Sequence, residues 1–161
     1  MSELYSQSAI DLGSAIAKAG HSLVWGGSNI GLMKLIADSV QENGGKLIGV
    51  TFKEFEHKLR PDINEVHVMN DLSERKNKLE EIGDAFIALP GGIGTLDELT
   101  HIASDAANGR TDAVVHLLNI NGFYENLYNQ LLTMESNGFL KHPVTELVKL
   151  NDNIDDLMSR F

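Results

Sequence analysis

Residues 85–98 read AFIALPGGIGTLDE, an apolar run followed by a glycine-rich turn and a helix-forming stretch. We predict a buried strand over Ala85–Leu89 and a helix from Thr95 to about Ala107. Closely spaced glycines let the backbone approach a ligand, and the start of the helix adds the positive end of its dipole. The pattern predicts an anion site, with phosphate as the simplest ligand. The same residues also fit an ordinary tight turn in which Thr95 and Glu98 form a capping box, and both interpretations stand at this point.

Apolar strands and amphipathic helices alternate along the chain on both sides of this stretch. The predicted strands are Ser22–Trp25, Leu47–Val50, Val66–Met69, Ala85–Leu89, Val114–Leu118 and Leu147–Leu150. The predicted helices are Leu4–Ala19, Gly31–Gln41, Leu72–Ile82, Thr95–Ala107, Phe123–Ser136 and one after Asn151-Asp152. Residues 51–64 are expected to be a loop or a short irregular excursion. Apolar strands separated by helices indicate a parallel sheet that is covered on both faces. The predicted fold class is α/β, a three-layer Rossmann-like sandwich with a mainly parallel sheet, in a single domain over residues 1–161.

The composition excludes several kinds of protein. The net charge of −10 argues against a nucleic-acid partner or an anionic membrane, because both need a basic surface. No apolar run is long enough to span a membrane, and the N-terminus lacks the pattern of a signal peptide. The absence of cysteine excludes disulfides and thiolate chemistry and favours a reducing compartment, so we expect a cytoplasmic protein. The six histidines lack metal-ligand spacing, so we expect no metal site.

A second glycine loop, WGGSNIGLM at residues 25–33, also joins a predicted strand to a predicted helix. Two such loops in one small parallel sheet can face each other across a single crevice at a switch point of the strand order. The loop alone is also compatible with a simple turn. Neither loop matches the dinucleotide fingerprint or a Walker motif, which disfavours nicotinamide cofactors and ATPase chemistry.

Arg75 lies in the helical stretch DLSERKNKLEEIGD at residues 71–84. Leu72, Leu79 and Ile82 form a predicted core-facing stripe at steps of three and four, and Arg75 continues it. An arginine on an apolar face needs an anion or a carboxylate, so a binding role and a buried structural ion pair both remain open. The neighbouring charges fit a solvated face that includes Lys76, with a predicted pair between Glu74 and Lys78.

Three segments together resemble a known family: GGSNIGLM, then SERK, then PGGIGTLDE, in that order. They resemble the Lonely guy phosphoribohydrolases, long labelled lysine decarboxylases in error. The resemblance implies a nucleotide-binding, Rossmann-like homodimer without a cofactor. Its implied substrate is a purine nucleoside 5′-monophosphate, either AMP or a cytokinin nucleotide, cleaved between ribose 5-phosphate and the base. A decarboxylase would need a Schiff-base lysine for pyridoxal phosphate, and no motif marks one.

Matching motif to motif, the resemblance implies that Arg75 and Glu98 are the catalytic residues. The substrate-binding residues that it implies are Gly26, Gly27, Met33, Lys76, Gly91, Gly92, Gly94 and Thr95. A carboxylate suits this reaction, because breaking a ribosyl C–N bond develops oxocarbenium charge. An arginine suits it too, because its guanidinium never loses its proton and can hold and polarise the nucleotide.

The sequence departs from the family pattern at the second loop, at Ser28 and Lys34, and in the helix after the first loop, at Asp105 and Ala107. It also begins at the family's first helix and lacks the family's opening strand, so we expect the native polypeptide to supply an upstream strand. Two rivals to the enzyme remain. One is a non-catalytic nucleotide-binding or molybdenum-cofactor carrier of the same fold, and the other is a structural paralogue with a decayed pocket.

Overall fold

The computed structural model describes residues 2–161, and the chain divides into two compact units, Met1–Gly83 and Asp84–Phe161. Each unit contains one three-stranded parallel sheet and the helices that connect its strands. None of the helices in the described chain is long and apolar enough to cross a membrane. The prediction of a single nucleotide-binding domain stays a prediction.

The first unit has the strand order β1-β2-β3. Its elements are α1 (Glu3–Lys18), β1 (Leu23–Trp25), α2 (Gly31–Glu42), β2 (Leu47–Phe52), a 3₁₀ helix (Lys53–Lys58), β3 (Glu65–Met69) and α3 (Leu72–Ile82). The parallel register places Trp25 beside Gly49 and Phe52 beside Met69. The carboxyl ends of the strands, which precede α2 and α3, therefore lie at one edge of this sheet.

The apolar periodicity of α1 determines how it packs. Ala9, Leu12 and Ile16 recur at helical spacing and are buried, and α1 packs against α2. The two helices are also joined by a hydrogen bond of 2.6 Å, which the Ser39 hydroxyl donates to the carbonyl of Ile10. This pair of helices forms much of the apolar core of the first unit.

The second unit has the strand order β4-β5-β6. Its elements are β4 (Phe86–Ala88), α4 (Ile93–Ala107), β5 (Val115–Leu118), a 3₁₀ turn (Ile120–Gly122), α5 (Glu125–Ser136), α6 (Val144–Leu147), β6 (Val148–Asn151) and α7 (Ile154–Met158). All four residues of β5 are buried, as expected for the central strand of a covered parallel sheet. The core of this unit consists of Ala88, Leu99, Ile102, Val115, Leu117, Tyr124, Val144, Leu147 and Val148.

The α/β class with parallel strands is confirmed, and several details of the prediction are wrong. The described strands form two separate sheets, so β1 and β4 are each an edge strand with one partner. The expected loop at residues 51–64 contains the last two residues of β2 and the 3₁₀ helix Lys53–Lys58, because strand pairing with β3 continues through Phe52. A short helix, α6, replaces the start of the predicted strand at Leu147.

Helix α3 has the predicted bounds but a different set of contacts. Leu72 is 44% exposed, so the predicted core-facing stripe does not begin there, and Leu79 and Ile82 are only partly buried. The predicted Glu74–Lys78 pair is absent from the described ion pairs. Glu74 instead accepts hydrogen bonds from the backbone and side chain of Asn70 at the start of the helix, at 2.9 and 2.8 Å, and Lys78 pairs with Glu81 at 2.9 Å. The Glu74 carboxylate therefore bonds to the start of its own helix and does not form the predicted pair with Lys78.

Candidate active site

The first glycine loop lies in the second unit, where β4 ends at Ala88 and α4 begins at Ile93. A Cβ atom added to Gly91 would lie 2.8 Å from the Cβ of Thr95, which is closer than real carbon atoms approach. The side chain of Thr95 therefore packs directly on the backbone of Gly91, and glycine is required there. The structure brings these two predicted site residues together.

Helix α4 begins two residues before the predicted start at Thr95, with Gly92 as its N-cap in extended conformation. Gly92 has no side chain to cap the helix, and the first turn of α4 holds no acidic residue. The capping box of Thr95 and Glu98 is therefore wrong, because Thr95 already lies inside the helix. The N-cap residue therefore offers no side chain to the first N–H groups of α4, and such groups at a helix start attract anions.

Gly92 and Gly94 differ from Gly91 in their surroundings. Apart from adjacent residues and the backbone of the same helix, a Cβ at either position would meet no atom of the described chain within 4 Å, and neither residue has a left-handed φ. Packing within the chain and backbone strain therefore give no reason for glycine at these two positions. A ligand that approaches the backbone closely would give one.

Glu98 lies on α4, three residues after Thr95, and its side chain is partly buried. Residues three apart on a helix share a face, so Glu98 and Thr95 lie on the same side of α4, near its start. Leu99 and Ile102 are buried in the core of the unit. Leu99 and Ile102 lie four residues after Thr95 and Glu98, on the same face of α4, and their burial fixes the rotation of the helix about its axis and so positions the carboxylate.

A cavity of about 300 Å³ opens beside the loop. It is lined by Gly91, Gly92, Ile93, Leu96, Phe123, Tyr124 and Leu127. Its side chains are apolar apart from the hydroxyl of Tyr124, which donates a hydrogen bond to the carbonyl of Leu89 at 2.5 Å. The backbone of the first glycine loop thus lies between the N-terminus of α4 and this largely apolar cavity.

The second glycine loop lies in the first unit, between β1 and α2. A Cβ at Gly26 would lie 2.5 Å from Nη2 of Arg75 and 3.6 Å from the sulfur of Met33. Three predicted site residues, distant in sequence, are therefore in contact at the carboxyl end of β1. Glycine at position 26 leaves the space that the guanidinium occupies.

The Arg75 side chain is partly buried and is oriented by the sheet. Its Nε donates a hydrogen bond of 2.9 Å to the carbonyl of Val50 in β2. A backbone carbonyl aligns the guanidinium without itself carrying a charge, which suits a residue that binds an anion. Lys76 follows it on α3 with a partly buried side chain, so it is not part of a fully solvated face as its sequence context suggested.

A network that the sequence analysis missed holds the second loop in place. The carbonyl of Gly27 accepts a hydrogen bond of 2.8 Å from the N–H of Arg60, and Ser28 forms an antiparallel bridge with Leu59. The guanidinium of Arg60 in turn forms an ion pair with Asp38 on α2. Burial raises the pKa of Asp38, but hydrogen bonds from Lys34 and Arg60 outweigh it and lower that pKa below its ordinary value.

Tyr124 and Asn119 were also missed. They lie in NINGFY, residues 119–124, which directly follows the buried strand β5. Binding residues often occur in a polar, glycine-containing turn at the carboxyl end of a parallel strand. The position of this turn in the sequence could therefore have indicated Asn119 and Tyr124. The prediction that the two glycine loops face each other across one crevice stays a prediction.

The family model described as "Possible lysine decarboxylase" matches residues 33–161. The chain is 35% identical over 159 residues to the cytokinin riboside 5′-monophosphate phosphoribohydrolase LOG3 of Arabidopsis thaliana, an alignment that covers 98% of this chain and 74% of the relative. The chain belongs to the LOG family. Another LOG-family relative, the cytokinin riboside 5′-monophosphate phosphoribohydrolase LOG of Oryza sativa subsp. japonica, is 35% identical over 146 residues, covering 89% of this chain and 60% of that protein.

Solved structures similar to this LOG-family chain include proteins with another role. A molybdenum cofactor binding protein of Rippkaea orientalis has a TM-score of 0.70 and 20% identity, covering 99% of this chain and 86% of that one. The molybdenum cofactor carrier protein of Chlamydomonas reinhardtii has a TM-score of 0.72 and 20% identity, covering 99% and 87%. At this identity the likeness shows the fold alone, and the predicted Rossmann-like α/β class is confirmed.

Proposed function

We propose that this LOG-family protein hydrolyses the N-glycosidic bond of a purine nucleoside 5′-monophosphate to the free base and ribose 5-phosphate. The observation that supports it best is the start of α4, where a helix whose N-cap residue is glycine follows a glycine loop that packing only partly explains. The relatives named above are phosphoribohydrolases of cytokinin riboside 5′-monophosphates, and they match nearly the whole chain. The protein is accordingly a hydrolase and not a lysine decarboxylase.

The 5′-phosphate is assigned to Gly91, Gly92, Gly94 and Thr95. Backbone N–H groups and the positive end of the α4 dipole can bind an anion without a cluster of basic side chains. Phosphate binding is therefore compatible with the net charge of −10. Open space above Gly92 and Gly94 admits phosphate oxygens to the backbone. This binding is the same before and during the reaction, so it contributes mainly to KM.

Glu98 is assigned the chemical step. As the bond between C1′ and the base nitrogen breaks, its electron pair leaves with the base and positive charge develops on the ribose ring. A carboxylate on the same face of α4 as Thr95 stabilises that charge and orients the water whose oxygen bonds to C1′. The water proton is released and a proton is taken up by the departing base, so the products are neutral base and ribose 5-phosphate.

Arg75 is assigned to holding and polarising the nucleotide, and Gly26, Gly27, Met33 and Lys76 to binding it. The support is the contact among Gly26, Met33 and Arg75 and the carbonyl of Val50 that orients the guanidinium. The planar guanidinium presents several N–H donors in a fixed geometry, which suits binding of a nucleotide's polar groups.

We propose AMP and cytokinin riboside 5′-monophosphates as the substrates and a homodimer as the assembly. The substrate assignment rests on the relatives' activity, which is stated for cytokinin nucleotides, and on a phosphate loop that makes no demand on the base. Homodimers are the commonest closed assembly of soluble enzymes, and they complete many active sites at their two-fold axis.

The deciding experiment incubates the purified protein with AMP and with isopentenyl-AMP and separates the products by chromatography. Equal amounts of free base and ribose 5-phosphate support the proposal, whereas adenosine and phosphate would indicate a phosphatase and contradict it. The fold likeness to molybdenum cofactor carriers favours one second candidate, a non-catalytic carrier. Tight nucleotide or molybdenum-cofactor binding with no turnover in either assay would favour that candidate.

A further inference from the structure

Tyr124 makes two kinds of contact with the first glycine loop. Its hydroxyl donates a hydrogen bond of 2.5 Å to the carbonyl of Leu89, the residue between the end of β4 and Pro90. Its ring lines the cavity beside Gly91 and Gly92. The side chain is 5% exposed, so both contacts are made in a largely dry environment where a hydrogen bond is strong.

The phenol remains a donor over the whole working range of the protein. Burial raises the pKa of Tyr124 to about 12, so the hydroxyl keeps its proton at neutral and moderately alkaline pH. The carbonyl of Leu89 is an acceptor only, which fixes the direction of the bond. The link between Tyr124 and the loop is therefore independent of pH where the enzyme is assayed.

Tyr124 is itself held by the ends of two strands. Its backbone N–H donates a hydrogen bond of 2.9 Å to the side-chain oxygen of Asn119, at the carboxyl end of β5. The side-chain nitrogen of Asn119 donates a hydrogen bond of 3.0 Å to a carboxylate oxygen of Asp152, just beyond β6. The backbone N–H of Asn119 donates a hydrogen bond of 2.8 Å to the carbonyl of Asn151. Phe123 packs edge-on against the Tyr124 ring with centroids 4.9 Å apart. The support is rigid because strands β5 and β6 are paired in register.

We propose that Tyr124 is a positioning residue for the phosphate loop, setting where the backbone of Gly91 and Gly92 lies relative to the start of α4. The proposal rests on the proposed function, because it assumes that this loop holds the 5′-phosphate. Within the motif, Thr95 packs on the backbone of Gly91, whereas no side chain packs against Gly92, so a contact from outside the motif can help to set the position of the loop. The hydroxyl of Tyr124 bonds to Leu89, which directly follows β4 and precedes Gly91 by two residues, so it acts where the chain enters the loop.

The test compares the full-length protein with Tyr124→Phe and with a matched control, Tyr128→Phe, one turn further along α5. Phenylalanine keeps the ring in the cavity and removes only the hydroxyl. We measure the Kd of ribose 5-phosphate by calorimetry, KM and kcat for AMP, and the Tm without ligand. The expected result for Tyr124→Phe is a Kd and a KM raised about fivefold or more with kcat within about threefold of wild type. Tyr128→Phe is expected to change none of these.

The split between KM and kcat separates positioning from simple stability. A side chain that only stabilises the fold reduces the fraction of active protein, which lowers kcat and leaves KM unchanged, and that result would overturn the inference. Unchanged ribose 5-phosphate binding in Tyr124→Phe would also overturn it. Amide hydrogen exchange gives a second measurement, because the variant should exchange faster at residues 91–95 than wild type while β5 stays protected.

The proposed function and this inference fail in different ways. A wild-type protein that binds ribose 5-phosphate but releases no base from AMP contradicts the proposed function, and the calorimetric comparison of the variants still decides the role of Tyr124. A wild-type protein that does not bind ribose 5-phosphate overturns the inference as well.

Discussion

Gly26→Ala tests the close contact between the second glycine loop and Arg75. The added Cβ would lie 2.5 Å from Nη2 of Arg75, whereas ordinary contact begins at 3.4 Å, so the guanidinium must retreat by about 1 Å. A misplacement of that size in a group that orients the substrate costs about a hundredfold in rate. We therefore expect kcat/KM for AMP to fall about a hundredfold. Steady-state kinetics with chromatographic detection of adenine measures it.

The effect on stability should be modest by comparison. Retreat of the side chain strains or breaks the hydrogen bond from Nε to the carbonyl of Val50, which costs about 1–2 kcal/mol and lowers the Tm by roughly 2–8 °C for a chain of this size. The control is a double-mutant cycle, because in an Arg75→Ala background the new methyl group has nothing to displace. Activity of Gly26→Ala within about twofold of wild type would refute the reasoning, as would an equal loss of Tm in both backgrounds.

Three further results are expected. Glu98→Gln and Arg75→Ala should each lower turnover of AMP by about a hundredfold or more while the far-UV spectrum stays native, and near-normal hydrolysis by either would remove its assigned role. Light scattering at micromolar concentration should give the mass of a dimer or a larger assembly, and a monomer with full activity would contradict this. Burial lowers the pKa of His116 more than its hydrogen bond with Asn151 raises it, so its stabilising contribution is fully present above pH about 6.5 and is lost as the pH falls toward the lower folded value. His116→Gln should flatten the fall in unfolding free energy measured by urea titration between pH 7 and pH 5, while His21→Gln, at an exposed position, should not.

Local patterns were sufficient where the structure depends on neighbours in sequence. The bounds of α3 are those predicted, α1 differs from prediction by one residue at each end, and α2 differs by one residue at its C-terminal end. Their apolar periodicity selects a buried face, and Gly20 and Gly44, both with left-handed φ, follow their last turns. The two strand-glycine-helix junctions were also evident, because glycine clusters between an apolar run and a helix have few other uses.

The errors arose where two local signals competed and the sequence pattern did not show which of them would prevail. Thr95 has the chemistry of an N-cap, yet α4 begins earlier, at Ile93, because the backbone of Gly92 is already extended and Thr95 packs on Gly91. Glu74 has a lysine four residues later, yet it turns back to cap its own helix through Asn70. Side-chain spacing along one helix cannot weigh such alternatives.

The sequence by itself determined the kinds of element, the parallel α/β class and the places where an anion can meet a helix start. These properties follow from the burial of apolar faces and from the freedom of glycine, both of which are local. Only the tertiary structure decided that the guanidinium of Arg75 fills the space above Gly26, and that Tyr124 bonds to Leu89, 35 residues before it, where the chain enters the first glycine loop. Those contacts depend on strand register and helix packing, which bring distant residues together at the carboxyl ends of the strands.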